Sequence, residues 1–231
     1  MTSISVIVPL LNEEKVLPSF LDHLEKFPVT EAICVDGGSR DRTTDILLQW
    51  SGSAGRFRRS VTMSSRGRAL QMNEGAKRAA GEALLFLHSD CRLPVGALHA
   101  IAKVLEDAAV AGGAFRLKID SSRLFLRGIA AAANLRSRWL SLPYGDQGYF
   151  VRRDIFEKIG GFKTLPIMED VDFIRRLKQR GAIVLLDAPI STSARRWAAE
   201  GYLYATLRNF ALLLLYFLRV APEKLARWYD D

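Results

Sequence analysis

Three acidic positions stand just after or beside apolar runs, where a carboxylate can meet a ligand. Asp36 follows Ala32–Val35 and precedes Gly37-Gly38, where the backbone can approach a ligand without side-chain interference. It reads either as an acceptor of hydrogen bonds from a base or ribose, or as a turn aspartate that caps its own backbone. Asp90 ends the run Ala83–Leu87 beside His88 and Ser89. An oxygen ligand for a divalent cation on a diphosphate is one reading, and a helix cap ahead of Pro94 is the other. Glu169-Asp170 opens a helical pattern, as a general base for an acceptor hydroxyl or as acids favoured by a helix dipole.

Two basic groups complement them. Arg66 and Arg68 flank Gly67 at a predicted helix start, where backbone amides and guanidinium groups can hold an anion together. Arg195-Arg196-Trp197 can bind a phosphate and stack on a ring, or be a solvated surface.

The elements that position these residues follow from periodicity. A β-branched run, Ser3–Val8, ends at Pro9, and helical spacing over Glu13–Lys26 follows it. The pattern repeats with Ala32–Val35 and a helix over Thr43–Trp50, a strand near Ser60–Met63 and a helix over Arg68–Ala80 capped at Gly81. The strand Ala83–Leu87 comes next. Such alternation predicts βαβ units and an α/β fold with a parallel sheet through residue 90. Ligands of such sheets bind beyond the carboxyl ends of the strands, so Asn12, Asp36 and Asp90 should face one crevice. Farther on, a strand near Ala111–Ile119 and helices over Leu124–Trp139, Asp154–Ile159 and Glu169–Gln179 are expected. A strand at Ala182–Leu186 closes the periodic part, and residues 187–231 read as predominantly helical.

A chain of 231 residues, 49% apolar and 25% charged, buries a sizeable core and contains no disordered tract. Its formal charge of +8 favours anionic partners without choosing among nucleic acid, nucleotide and membrane. Cys34 and Cys91 form no CxxC pair and read as buried free thiols. No secretory leader pattern is present, and the longest apolar run, Phe210–Leu218, is about half of a membrane span.

In order and at these spacings, the motifs resemble the family 2 glycosyltransferases. Ser-Val-Ile-Val-Pro-Leu-Leu-Asn-Glu (5–13), Val-Asp-Gly-Gly-Ser-Arg-Asp-Arg-Thr (35–43), Gly67–Ala76 with Asn73 and Gly75, and Gly160-Gly161-Phe162 followed by Glu169-Asp170 carry the resemblance. Gly-Arg-Ala-x-Gln-Met-Asn, Leu-His-Ser-Asp-Cys and Tyr-Gly-Asp-Gln-Gly resemble a compact bacterial subgroup with unassigned acceptors.

That resemblance implies a GT-A, nucleotide-diphospho-sugar transferase-like fold over residues 1–187, a mostly parallel sheet flanked by helices. A helical segment, 188–231, would pack on the domain, a partner subunit or the membrane surface. It implies an inverting sugar transfer from a nucleotide-diphosphate sugar to an acceptor hydroxyl. Pro9, Asn12, Glu13, Asp36, Gly37, Arg66, Arg68, Asn73 and Ser89 would bind the donor nucleotide, with Asp36 on the base. Arg196 and Trp197 would close on the diphosphate. Asp90, with His88, would hold Mg²⁺ or Mn²⁺, and Asp170, with Glu169 beside it, would be the catalytic base. The family's metal motif is commonly Asp-x-Asp, whereas this chain has His88-Ser89-Asp90, so the first carboxylate is missing.

Two other readings compete. A nucleotidyltransferase acting on a sugar phosphate would need a basic Gly-rich loop after the first strand, where Leu10-Leu11-Asn12-Glu13 stands. A nucleic-acid-binding module would need basic residues interleaved with aromatics on one face, whereas Lys and Arg are dispersed, so no nucleic-acid partner is expected. The stretch from Tyr202 to Val220 suits a helix resting on anionic lipid, or one buried against the domain or another copy of the chain. A lipid-linked acceptor, a cytoplasmic setting at the inner face of the membrane and a homo-oligomer are the matching expectations.

Overall fold

The computed structural model describes residues 2–230, with the side chains of Arg196, Ala199 and Asp230 outside the described set. Its elements alternate through the first half: β1 (Ile4–Leu10), α1 (Leu17–Leu24), β2 (Glu31–Asp36), α2 (Thr43–Gly52), β3 (Arg58–Met63), α3 (Arg68–Arg78) and β4 (Ala83–Phe86). There follow β5 (Cys91–Arg92), α4 (Ala97–Val104), β6 (Val110–Asp120), α5 (Leu124–Leu140), a 3₁₀ turn (Gly145–Gln147), β7 (Tyr149–Arg152), α6 (Arg153–Lys158) and α7 (Glu169–Leu177). β8 (Ala182–Ser193), α8 (Arg195–Glu200), α9 (Tyr202–Phe217) and α10 (Pro222–Asp230) complete the chain.

The strands form one sheet in the order β3-β2-β1-β4-β7-β6-β8-β5. β3, β2, β1 and β4 are mutually parallel, as the alternation predicts. Beyond residue 90, β7 runs antiparallel to both β4 and β6, while β6 and β8 pair in parallel. Helices cover both faces, so adjacent strand residues are buried in opposite directions. Val6 and Val8 join the cluster of Phe20, Leu24 and Leu47, and Ile7 joins the one with Met72, Phe86 and Phe173. That two-sided burial explains the unbroken apolar runs read in the sequence. Gly75 permits the close approach of α3, since a Cβ there would stand 2.5 Å from Ile7 Cγ2.

Several boundaries move. β1 continues through Pro9 to Leu10, because its register with β4 stops at Ile7 and the proline's missing N–H breaks no bond on that side. α1 begins only at Leu17, after a turn whose carbonyl at Glu13 accepts the Val16 and Leu17 N–H groups. α3 ends at Arg78 with Ala79 as its cap. Gly81, expected as that cap, instead donates its N–H to Ser5 Oγ at 2.8 Å. β8 runs on to Ser193, well past the expected Leu186, because the long β6 supplies pairing partners as far as Asp120.

Candidate active site

The strand order reverses at β1, which has β2 on one side and β4 on the other, so the segments after β1 and β4 diverge and leave a crevice. A cleft of about 440 Å³ opens there. Pro9, Leu10 and Glu13 come from the end of β1, and His88, Ser89 and Asp90 from the end of β4. Arg66 and Arg68 stand at the start of α3, Tyr144–Asp146 at the 3₁₀ turn, Met168–Asp170 at the start of α7, and Arg195 and Trp197 on α8. Of Asn12, Asp36 and Asp90, expected to face one crevice, only Asp90 lines this cavity, and Asp170 lines it with Asp90.

Local bonds orient the carboxylates. Asp170 Oδ2 accepts the Gly145 N–H at 3.1 Å, and its Oδ1 accepts the Val171 N–H at 2.7 Å. A Cβ at Gly145 would stand 3.0 Å from His88 Nε2 and 3.7 Å from Asp170 Oδ2, so the glycine lets an imidazole and a carboxylate crowd one stretch of backbone. Met168, just before α7, takes a left-handed conformation at φ 66°. Such a backbone costs a non-glycine residue about 1–3 kcal/mol and is kept where the surroundings enforce it.

Glu169 turns away from Asp170 and meets Arg68, with Nε to Oε1 at 3.2 Å and a Glu169 side chain only 4% exposed. Burial raises the Glu169 carboxyl above its ordinary range, Arg68 opposes the shift and Asp170 adds to it. Burial also works against the Arg68 charge, but the carboxylates of Glu169 and then Asp170 outweigh it and hold the guanidinium protonated. The pair fixes a cation at the amino end of α3, where backbone amides also favour an anion.

Four expected donor residues lie elsewhere. Asp36 is fully buried, and its oxygens accept bonds from the Ser39 N–H and hydroxyl and from Thr44 Oγ1 at 3.0 Å. The capping reading of Asp36 describes this geometry; its carboxylate does not line the cleft. Beside it, Gly37 backs onto Gln71, whose amide would lie 2.9 Å from a Cβ at that position. Asn12 accepts the Arg40 N–H at 2.8 Å and donates its own N–H to Ser39 Oγ, so the loops after β1 and β2 bind each other. Asn73 spends both ends of its amide on the backbone of Phe162, at 2.8 and 2.9 Å, and clips α3 to the turn before α7. Arg196 lies outside the described side chains.

Tyr144 and Asp146, which carried no assignment, line the cleft, as does Arg195 of the Arg195-Arg196-Trp197 cluster. Arg195 Nη2 lies 2.7 Å from both Glu13 carboxylate oxygens. Tyr144 stacks its ring under the Arg136 guanidinium at 3.5 Å, and burial pushes its hydroxyl up to about 12, so it stays protonated. Asp146 neighbours Asp90 across Cys91, whose Sγ lies 3.7 Å from Asp90 Oδ1 and 3.6 Å from the Asp146 carbonyl oxygen. Burial, then the charges of Asp90 and Asp146, push that thiol well above its ordinary range. Both cysteines are buried and free. The only sequence signal for Tyr144 and Asp146 is the segment Tyr-Gly-Asp-Gln-Gly, which carries no chemistry on its face.

Among the described residues no group of three or more His, Cys, Asp and Glu forms a metal cage. The oxygen donors of Asp90 and Asp146 do suit a hard cation that takes its other ligands from phosphate and water.

The family model for glycosyl transferase family 2 matches residues 5–165, most of the chain, and ends just before Glu169. A PGL/p-HBAD biosynthesis glycosyltransferase of Mycobacterium bovis (strain BCG / Pasteur 1173P2) is 29% identical over 184 residues, covering 78% of this chain and 71% of its own. An undecaprenyl-phosphate 4-deoxy-4-formamido-L-arabinose transferase of Photorhabdus laumondii is 24% identical over 232 residues, 96% of this chain and 70% of its own. Mannosyltransferase PcManGT from Pyrobaculum calidifontis, solved with GDP-Man and Mn²⁺, superposes with a TM-score of 0.66 at 20% identity over 82% of this chain. S. aureus TarS 1-349, solved with UDP-GlcNAc, gives 0.67 at 23% identity over 83%. The chain spans 56% and 58% of those two structures' lengths. At such identities the likeness establishes the fold, which is the GT-A arrangement.

Proposed function

The chain belongs to glycosyl transferase family 2, and from that membership we propose that it moves a sugar from a nucleoside-diphosphate donor to an acceptor hydroxyl with inversion. The observation that carries this reading is the shared cleft, with Asp90 at the end of β4 on one wall and Asp170 at the start of α7 on another.

Each wall has its own task. The donor diphosphate lies against the amino end of α3, where Arg68 is held by Glu169, with Arg66 and Arg195 as further cations. Trp197 supplies a flat apolar side. Pro9, Glu13 and Ser89 border the nucleotide, and Asp36 supports it indirectly by fixing the turn beside them. Asp90 and Asp146, with His88 alongside, would hold Mg²⁺ or Mn²⁺. When bound, the cation offsets charge on the departing diphosphate. Asp170 accepts the acceptor's hydroxyl proton as the oxygen attacks the anomeric carbon from the face opposite the leaving group. The Gly145 and Val171 N–H groups keep that carboxylate aimed, and Glu169 acts through Arg68.

The name of one relative, an undecaprenyl-phosphate sugar transferase, supports a lipid-linked acceptor. Buried free thiols accord with a cytoplasmic setting. The family match removes support from the nucleotidyltransferase and nucleic-acid readings. A thermal-shift screen of UDP-, GDP-, dTDP- and CDP-sugars with Mn²⁺ tests the proposal, since a ligand that binds only the native state raises the melting temperature. Selective stabilisation by one nucleotide class is expected, and no shift with any of them contradicts it.

A further inference from the structure

Surface helices of this chain normally turn charge outward: α3 exposes Lys77 and Arg78, and α7 carries Asp172, Arg175 and Arg176 on its outer side. Two helices do the opposite. α5 buries Leu126, Ala130 and Ala133 against β6, and on its other face exposes Leu124, Leu135 and Trp139, the last to 77%. α9 turns Asn209 and Leu212 to the cleft and exposes Leu203, Leu207, Phe210 and Leu214, which recur every three or four residues along one side. A fold that has already buried one face of each helix gains nothing from a second apolar face in water.

The charge pattern names the occupant. Residues 121–143 contain four arginines and no acid, while residues 201–222 contain two arginines and no acid, of which Arg208 is paired with Glu200 and Arg219 is exposed. Arg123, Arg127, Arg138 and Arg219 are exposed beside the apolar stripes. The Arg123 guanidinium lies 4.6 Å over the Tyr202 ring, so the starts of α5 and α9 meet, and Trp197 and Tyr202 pack against the inner side of α5. Both helices therefore adjoin α8, whose Arg195 and Trp197 line the cleft. A second copy of the chain seated here would set the same arginines against each other. An anionic bilayer would neutralise them while taking up the leucines and aromatics. Among the described residues no helix is long and apolar enough to cross a membrane, so such a surface rests on the bilayer.

We infer that α5 and α9 form a docking surface for anionic lipid, which sets the cleft beside the bilayer. The inference rests on the lipid-linked-acceptor reading for its purpose alone, because vesicle binding needs neither donor nor turnover. The test is co-sedimentation of the full chain, without donor, with vesicles of phosphatidylcholine alone or mixed with phosphatidylglycerol. Tryptophan fluorescence of the wild type and of Trp139→Phe, whose difference reports Trp139 among the four tryptophans, and sedimentation velocity are followed alongside. Binding only to the mixed vesicles, with a blue shift, is expected. The pairs Leu124→Glu/Leu135→Glu and Leu207→Glu/Leu214→Glu should each weaken partitioning by about tenfold or more, as loss of buried leucines implies. Their unchanged melting temperatures would show that the fold persists. Wild type left in the supernatant, equal binding to both vesicle types, or loss through the α9 pair alone would overturn the two-helix surface. A dimer that the same substitutions dissociate, with no vesicle binding, would assign the face to a second copy.

Discussion

Arg195 and Glu13 meet with Nη2 2.7 Å from both carboxylate oxygens, although 182 positions separate them. The contact joins the loop after β1 to α8, so the first and last parts of the site are built as one wall. The Arg195 side chain is 44% exposed, and an ion pair so placed contributes less than about 1 kcal/mol to stability. On the function proposed above, it holds a cation at the donor's diphosphate.

Arg195→Ala should therefore raise the donor KM on the order of tenfold, the loss of one charge-assisted contact, while the melting temperature barely moves. Steady-state kinetics and calorimetric unfolding check both halves. An unchanged KM would remove Arg195 from donor binding.

The Glu169 carboxyl has its proton affinity raised by burial, against Arg68 and together with Asp170. Its native form then keeps a proton at pH values where the unfolded chain has lost it. The resulting stabilisation is full below the ordinary glutamate range and is lost as pH rises through the raised value. Glu169→Gln cannot titrate, so its melting temperature relative to wild type should climb across that window. Melting curves over a pH series check this, and parallel profiles would contradict it.

Asn73 clips α3 to the Phe162 backbone. Asn73→Ala removes two bonds to the Phe162 backbone and should cost about 1–3 kcal/mol. Denaturant unfolding measures it. A variant of normal stability with weakened donor binding would restore Asn73 to the nucleotide site.

What the sequence disclosed follows a physical division. Parallel βαβ units, with strands buried on both faces, print as apolar runs separated by helical periods, so β1 to β4 and the crevice at their ends were readable. Asp90 was readable because it follows a strand pattern, and Asp170 because it opens a helical one. Asp36 and Asn12 stand outside the cleft lining, because sequence does not tell whether a polar turn residue spends its hydrogen bonds on a ligand or on the neighbouring loop. Arg195 was named as a phosphate-binding candidate, but the strand end that places it was read as helix, because residues 189–193 pair with a distant partner, β6. Asp146 and Tyr144 sit on a 3₁₀ turn between two antiparallel connections, where no periodic signal exists.

The division of labour between the two carboxylates is tested most directly by titrating the nucleotide sugar that stabilises the wild type into Asp170→Asn and Asp90→Ala, with Mn²⁺, by calorimetry. The account predicts that Asp170→Asn binds donor as tightly as wild type yet turns over at least about a hundredfold more slowly, while Asp90→Ala loses the Mn²⁺-dependent part of donor affinity. Wild-type turnover by Asp170→Asn, or undiminished Mn²⁺-dependent affinity in Asp90→Ala, would contradict it.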